Sequence, residues 1–415
     1  MIPVSFKKNF LFVLTSGVFV GIMNISSNIY FSRLIGPTET GKYAFLLSLV
    51  EITTLLLNFG FNQYLIKKPN DTKITNAAYT LIGLQSLSII IVTMLVFIIL
   101  SVGFSSYKII EISFFPAFML LVISRITSFY TTFYYSYYEA NFNYSKINKS
   151  RNISVVLAIV IAYCFGLIIL KNYNLFIIRD FLMNVFFLAL IFKNKKISGS
   201  WEFNKINLKE VFHFSRKNLF LIIQERIIQK GDQFLIGIFL GKELLGVYFV
   251  IKNLFDGFLN FLITPIQTVM FAYFVNKEVR ERMTLYIKKS LLVVTPVVIL
   301  CVVLIWNVNF AKLLNLIYGK QFSFSNSAIL LFILYGYFII AFEIMKIYFV
   351  SIDKQSIPIQ ARLFQIFYFF PCMIICLKAG YSIAGLAFAQ SSSYFLLALI
   401  CYFSLFRNKS IQSIS

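Results

Sequence analysis

A lipid bilayer accepts a helix where roughly 20 mostly apolar residues run together. This chain offers that length about twelve times, near 10–33, 42–66, 75–101, 112–135, 152–170, 174–193, 218–240, 245–274, 290–308, 326–350, 358–377 and 382–406. Backbone polar groups in hydrocarbon must be bonded within their own segment, so these stretches can only be helices. The expected fold class is all-α, a polytopic membrane protein of about 12 transmembrane helices. Composition excludes the soluble alternatives. Hydrophobic residues make up 59% of the chain and charged ones 13%, with a mean hydropathy of +0.81. A soluble domain carries about 25% charged residues, so a soluble enzyme and a disordered chain both fall away. Lys7 and Lys8 precede an apolar stretch too long for a signal-peptide core, and no small-residue cleavage site follows. The first span is therefore expected to be retained.

The 38 basic and 16 acidic residues leave a net charge of +22. Sorted by loop, 24 bases fall on the side of the N-terminus and 8 on the opposite side. That alternation is the positive-inside signature and predicts that both termini are cytoplasmic. The excess positive charge then reports topology and attraction to anionic lipid; no nucleic-acid partner is needed. The longest loop, Asn194–Lys217, is basic, cytoplasmic and central. It predicts an N-terminal six-helix lobe (1–193), a linker (194–217) and a C-terminal six-helix lobe (218–415) around a central cavity. Cys164, Cys301, Cys372, Cys376 and Cys401 all lie in apolar runs and form no disulfide or zinc spacing. With His213 as the single histidine, no metal site is expected.

The two halves share a motif. LIGPTETGKY carries Gly36, Gly41 and Tyr43; FLGKELLGVY carries Gly241, Gly246 and Tyr248, the same spacing 205 residues later. The offset also sets Glu51 against Asp256. Each half has an even number of spans, so the repeats are parallel, and a substrate path is expected where they meet.

The stretch SRLIGPTETGKYAFLLSLVEITTLLLNFGFNQYLIKK resembles the opening hairpin of polysaccharide-export flippases of the O-antigen (Wzx) type, within the multidrug/oligosaccharidyl-lipid/polysaccharide exporter superfamily. Arg33, Gly36, Pro37, Gly41, Tyr43, Gly60 and Lys67 occupy that family's positions. DQFLIGIFLGKELLGVYFVIKNL is similar to its second hairpin through Asp232, Gly237, Gly241, Gly246 and Tyr248. AGYSIAGLAFAQSSSYF, with Gly380 and Gly385, resembles its last span. Where the family has Arg at the end of the second span this chain has Lys67 and Lys68, which keep the charge and lose the bidentate geometry. The resemblance implies a flippase that moves undecaprenyl-pyrophosphate-linked oligosaccharide repeat units from the cytoplasmic to the periplasmic leaflet of a bacterial inner membrane. It also implies polymerase and chain-length proteins of the same pathway as partners.

Twelve charges remain inside the spans: Arg125, Arg179, Arg226, Lys230, Lys252 and Lys346, with Glu51, Asp180, Glu225, Asp232, Asp256 and Glu343. Facing lipid, at about 2.5–3.5 kcal/mol each, they would together cost roughly 36 kcal/mol. They must line a wet cavity or face one another. Arg226 and Lys230 share one helix face. Lys252–Asp256 and Glu343–Lys346 are spaced to bridge within their helices, at the wall of a cavity or as ligands. Arg125 has no local acid and needs either a partner on another helix or an anionic ligand; for Arg125 and Lys230 the ligand role is favoured. Arg179 and Asp180, being adjacent, are expected to need separate partners. Arg125, Arg179, Arg226, Lys230 and Lys252 are the candidate substrate-binding cations. Glu51, Asp180, Glu225, Asp232, Asp256 and Glu343 are the candidates for H⁺ or Na⁺ coupling. No nucleotide-binding motif is present and no cofactor is expected. The aromatic run Phe129–Tyr138 reads as an interfacial belt, with a sugar-stacking platform as the other reading.

A carrier with no catalytic residues fits these features. The rivals are a membrane glycosyltransferase or polymerase of the same pathway, for which the outer loops are short, and a cation-coupled small-molecule exporter, which a basic cavity disfavours.

Overall fold

The computed structural model describes residues 4–55, 71–103, 114–140, 144–168, 171–192, 204–274, 295–296, 309–351, 354–380 and 383–412. Among these residues there are eleven helices and no strand. They are α1 (Val4–Leu55), α2 (Thr72–Gly103), α3 (Phe115–Ala140), α4 (Tyr144–Ile168), α5 (Asn174–Phe192), α6 (Lys205–Phe239), α7 (Gly241–Phe274), α8 (Phe310–Tyr318), α9 (Asn326–Ser351), α10 (Ser356–Lys378) and α11 (Ile383–Gln412). Eight of the described segments are long and apolar enough to cross a membrane.

The difference from twelve has three causes. The first two expected spans are one broken rod, α1. The seventh, α6, has the length but carries interior charges and is the least hydrophobic of the long helices; the eighth, α7, carries Lys252 and Asp256 in its first half, and most side chains of 260–274 lie outside the described residues. The ninth, apart from 295–296, lies outside the described residues, as do Gly60 and Lys67 of the opening motif and the start of the linker.

The break in α1 is at Gly36, where φ is 83° and ψ 174°. That conformation is open to glycine and essentially closed to other residues. Pro37 follows, with its fixed φ suited to starting a helix and no N–H to leave unpaired. The Gly36 carbonyl accepts a hydrogen bond from the Thr40 hydroxyl at 2.7 Å. A short outer turn between spans ending at 33 and restarting at 42 was expected here; the helix breaks at one residue instead. Its repeat partner Gly241 has φ 84° and separates α6 from α7 in the same way. The repeat read from side chains is thus also a repeat of backbone geometry.

The contrast between two glycines makes this testable. A Cβ added at Gly241 meets nothing within 4 Å, and the same is true of Gly17 in the middle of α1. Only conformation separates them. Gly241→Ala is expected to destabilise by about 1–2 kcal/mol, and Gly17→Ala to stabilise by up to about 1 kcal/mol. Thermal unfolding of the purified variants checks this; shifts of the same sign would mean that φ at 241 is not the constraint.

The described residues form two compact units, Met1–Ile238 and Phe239–Ser415. In the first, α4 packs on α5, α5 on α3, and α1 on α4. Phe31, Tyr43 and Phe176 sit at the α1–α5 contact, with Tyr43 stacked on Phe176 at 4.6 Å. A second cluster joins α2, α3 and the ends of α5 and α6 through Ile74, Ala78, Phe133, Tyr134, Phe187 and Val211. This corrects the belt reading of Phe129–Tyr138. Phe133, Tyr134 and Tyr138 are buried in that cluster, and Phe129, Tyr130 and Tyr135 pack against it. Those rings have the α2 face as a partner, which burial favours over the interface.

In the second unit α9 is central and packs on α11 and α7, while α10 packs on α11. A Cβ at Gly336 of α9 would lie 3.1 Å from Leu259 of α7, so the small residue is what lets these helices approach. Tyr248, the counterpart of Tyr43, is fully buried and faces Phe332.

Candidate functional site

The buried charges gather in three groups. Two are in the first unit. Glu51 lies in the last turns of α1 with its side chain 8% exposed. Arg125 from the middle of α3 donates from Nη2 to Glu51 Oε2 at 3.0 Å. Arg226 of α6 brings Nη1 to 3.5 Å from the same oxygen, and Lys230 follows one turn on along α6. Phe45 and Phe234 stack at 5.6 Å and hold α1 and α6 together beside this point. The guanidinium of Arg125 also lies over the Phe129 ring at 5.7 Å. Its Nε is buried without a hydrogen-bond partner. The side chains of Arg125 and Arg226 keep 24% and 40% of their exposure. One carboxylate therefore lies beneath two arginines, both of which keep part of their exposure.

Of the two roles open to Arg125 in the sequence, the partner on another helix is present. Glu51 is 74 positions away, beyond what helical periodicity can reveal. Elsewhere on α6, Glu225 accepts from Gln229 at 3.1 Å. Asp232 is completely buried, and its Oδ1 accepts from the Gln233 backbone N–H at 2.6 Å.

The second group ties α1 to α5. Arg179 donates from Nε and Nη2 to Asp180 Oδ1 at 2.9 and 2.7 Å. Its Nη1 reaches Ser27 at 2.9 Å and Asn28 at 2.5 Å. Tyr43 donates its hydroxyl to Asp180 Oδ2. This corrects the expectation that neighbours on a helix need separate partners. Their Cα–Cβ bonds diverge, but an arginine is long enough to bend its head back over the next residue. Tyr43 of the motif is thereby explained: its ring packs on Phe176 and its hydroxyl closes the network. Gly41 and Gly246 are buried within their helices, and Arg33 is exposed.

The third group belongs to the second unit. Glu343 and Lys346 of α9 bridge at 2.6 Å, as their spacing predicted. Arg362, not among the twelve charges expected inside the spans, is buried in α10. Its Nη2 lies 3.7 Å from Glu343, and Nη1 donates to Gln365 at 2.9 Å. The guanidinium sits over Phe342 at 4.4 Å and Tyr394 at 5.2 Å. The signal was present: position 362 falls inside the expected span 358–377, with polar Gln365 three residues on. Asp256 accepts from the Tyr335 hydroxyl at 3.1 Å. Lys252 is 1% exposed, with its ammonium over the Tyr248 ring at 5.8 Å. Among the described residues no group of histidine, cysteine and acidic side chains is arranged to hold a metal ion.

The sequence profile of the polysaccharide biosynthesis protein family matches residues 30–327, most of the chain. The chain belongs to the polysaccharide biosynthesis protein family. No protein of curated function matches it. Solved structures do. The lipid II flippase MurJ in an inward closed conformation superposes with a TM-score of 0.71 at 16% identity, covering 95% of this chain and 87% of that one. A Vibrio cholerae MATE transporter, VcmN, gives 0.62 at 13% identity, over 98% and 97% of the two chains. A MOP superfamily transporter from Pyrococcus furiosus gives 0.62 at 11% identity, over 96% and 94%. At these identities the likeness is one of fold. This member of the polysaccharide biosynthesis protein family is a multi-pass helical membrane protein with the fold shared by MurJ and the MATE transporters.

Proposed function

We propose that this protein is a flippase for a lipid-linked oligosaccharide, carrying an undecaprenyl-pyrophosphate-linked repeat unit from the cytoplasmic to the periplasmic leaflet by alternating access. The observation that carries the reading is the convergence of Arg125 and Arg226 on Glu51, with Lys230 one turn beyond Arg226 on the same helix. A diphosphate in a water-poor cavity needs several cations with forked donors, and the lipid tail can stay in the bilayer. Family membership supplies the polysaccharide context, and the fold shared with a lipid II flippase supports a lipid-borne cargo.

In this reading Arg125, Arg226 and Lys230 hold the cargo, Arg179 clamps α1 to α5, and Lys252 belongs to the second unit's wall. Ion coupling falls to Asp180, Glu225, Asp232, Asp256 or Glu343, with H⁺ or Na⁺ as the driving ion. The two halves of the chain would alternate about the cargo, in a bacterial inner membrane with both termini cytoplasmic; residues 205–217 of the expected linker are the first turns of α6. Pathway polymerase and chain-length proteins would receive the product. The fold shared with MATE transporters favours, in part, a second reading as a small-molecule exporter. Two arginines sharing the one Glu51 carboxylate oppose a cationic cargo.

The test is a deletion strain with and without the wild-type gene. Without it, lipid-linked units are expected to accumulate inside and no single repeat unit to reach the surface. Unpolymerised single units on the surface of the deletion strain would refute the flippase reading and favour a polymerase.

A further inference from the structure

The short helix α8 belongs to none of the three charge groups, and its bonding fixes where it lies. Asn309 caps the first turn, its side chain accepting from the Lys312 backbone N–H at 3.2 Å. The helix stops at Gly319, where φ is 101° and the N–H returns to the Asn315 carbonyl at 3.0 Å. Ala311, Leu314 and Tyr318, at i, i+3 and i+7, form its covered face. Tyr318 closes on Phe322 and Phe324 at 5.9 and 5.8 Å. The Ala311 N–H donates to Asn326 Oδ1 at 2.9 Å, and the Phe324 N–H donates to Asn315 Oδ1 at 3.3 Å. Asn326 is the first residue of α9, which is long and apolar enough to cross a membrane. The 9 residues of α8 reach about 14 Å, less than half of a hydrocarbon core of roughly 30 Å. A helix too short to cross, bonded to the end of one that does, lies at the bilayer surface.

The other face of α8 is apolar and uncovered. Leu313 is 42% and Leu316 71% exposed, three positions apart and so on one face. Lys312 at its border and Lys320 just past the helix end are exposed as well. Both belong to the eight bases that the loop count leaves opposite the N-terminus, where the positive-inside rule gives them no role. We propose that α8 is an interfacial anchor that docks on anionic phospholipid, with Leu313 and Leu316 in the acyl boundary and Lys312 and Lys320 among the lipid phosphates. An apolar face bordered by lysine is the pattern of a helix that lies in the plane of the interface. Lipid at that surface takes the two leucines out of water, and the lysine stems run along it to the phosphates. Through Asn326 the anchor holds the first turn of α9, the helix that carries Tyr335, Glu343 and Lys346. Such an anchor acts on the bilayer around the protein and is independent of the cargo.

Fluorescence quenching on the full chain in lipid nanodiscs tests this. Leu316→Trp adds a fluorophore to the exposed face, and subtracting the wild-type signal removes Trp201 and Trp306. Because bonds to Asn326 and Asn315 hold α8 in place, the new ring reports the position of the helix without setting it. Phosphatidylcholine brominated near the glycerol end of its chains is expected to quench it, and aqueous acrylamide to leave it nearly untouched. In discs that mix phosphatidylcholine and phosphatidylglycerol at equal mole fraction, the bromine is placed on one lipid or the other. Brominated phosphatidylglycerol is expected to quench as a lipid enriched at the site by roughly fivefold for each lysine. Lys312→Gln with Lys320→Gln is expected to bring the two lipids level. Leu313→Trp, on the same face, gives the same readout should Leu316→Trp not purify. Quenching by acrylamide and not by brominated lipid overturns the proposal, and a ring that neither quencher reaches lies under protein and overturns it equally. Equal quenching by the two lipids without the lysine substitutions, or a preference that survives them, overturns the part given to Lys312 and Lys320.

Discussion

Cells whose only copy carries Arg125→Ala are expected to export repeat units at least about a hundredfold more slowly than wild type, the order of effect when one partner of a desolvated charge pair is removed. The reason is double. The substitution removes the best-placed donor for an anionic cargo, and it leaves Glu51, buried at the end of α1, with its nearer partner gone. Arg125→Lys separates the two losses. Lysine restores the charge that compensates Glu51 but offers a point donor in place of a fork. Its export is expected to recover to within roughly tenfold of wild type. Quantifying surface polysaccharide at matched membrane levels of each variant is the check. If Arg125→Ala exports normally, the cluster does not touch the cargo.

The second large effect concerns stability. Asp180→Ala takes from buried Arg179 the carboxylate that pairs with it, and from Tyr43 the Asp180 oxygen to which its hydroxyl donates. Breaking a buried ion pair from one side costs about 3–5 kcal/mol, which corresponds to a fall in Tm of about 10 °C for a unit of this size. Replacing both partners with apolar residues of similar volume, Arg179→Met with Asp180→Leu, is expected to cost much less, because no charge is left behind. Thermal unfolding of both variants decides it. Export by the double variant also bears on function. A stable double variant that exports shows Arg179 to be a clamp, and a stable one that does not restores it to the cargo site.

What could be read in the sequence follows from how far each signal reaches along the chain. Glu343–Lys346 was legible because three positions on a helix place two side chains on one face. The Gly36 and Gly241 repeat was legible because only glycine tolerates that backbone, so the residue type survives wherever the geometry does. Arg125 finding Glu51 was not legible, since it depends on α1 and α3 lying side by side. Arg179 and Asp180 were misread for a different reason: helical geometry fixes where a side chain leaves the backbone, not where a long flexible one ends. Arg362 was lost at a span boundary, where a base is ordinarily a topology signal. The tyrosines of α3 were mistaken for a belt because composition does not say which neighbour will cover them.

The single-residue break at Gly36 has a mechanical consequence. A rod pivoted at one point converts a small rotation into a displacement that grows with distance from the pivot. Glu51 lies fifteen residues beyond Gly36, and Asp256 fifteen beyond Gly241. At 1.5 Å per residue each carboxylate rides about 22 Å out on its lever. A tilt of about 10° moves it by roughly 4 Å on that arm. That stroke exceeds the 3.0 and 3.5 Å spans that tether Glu51 to Arg125 and Arg226. The two halves therefore carry their acids on arms of equal length, so one modest tilt of either hairpin is enough to make or break its charge contacts.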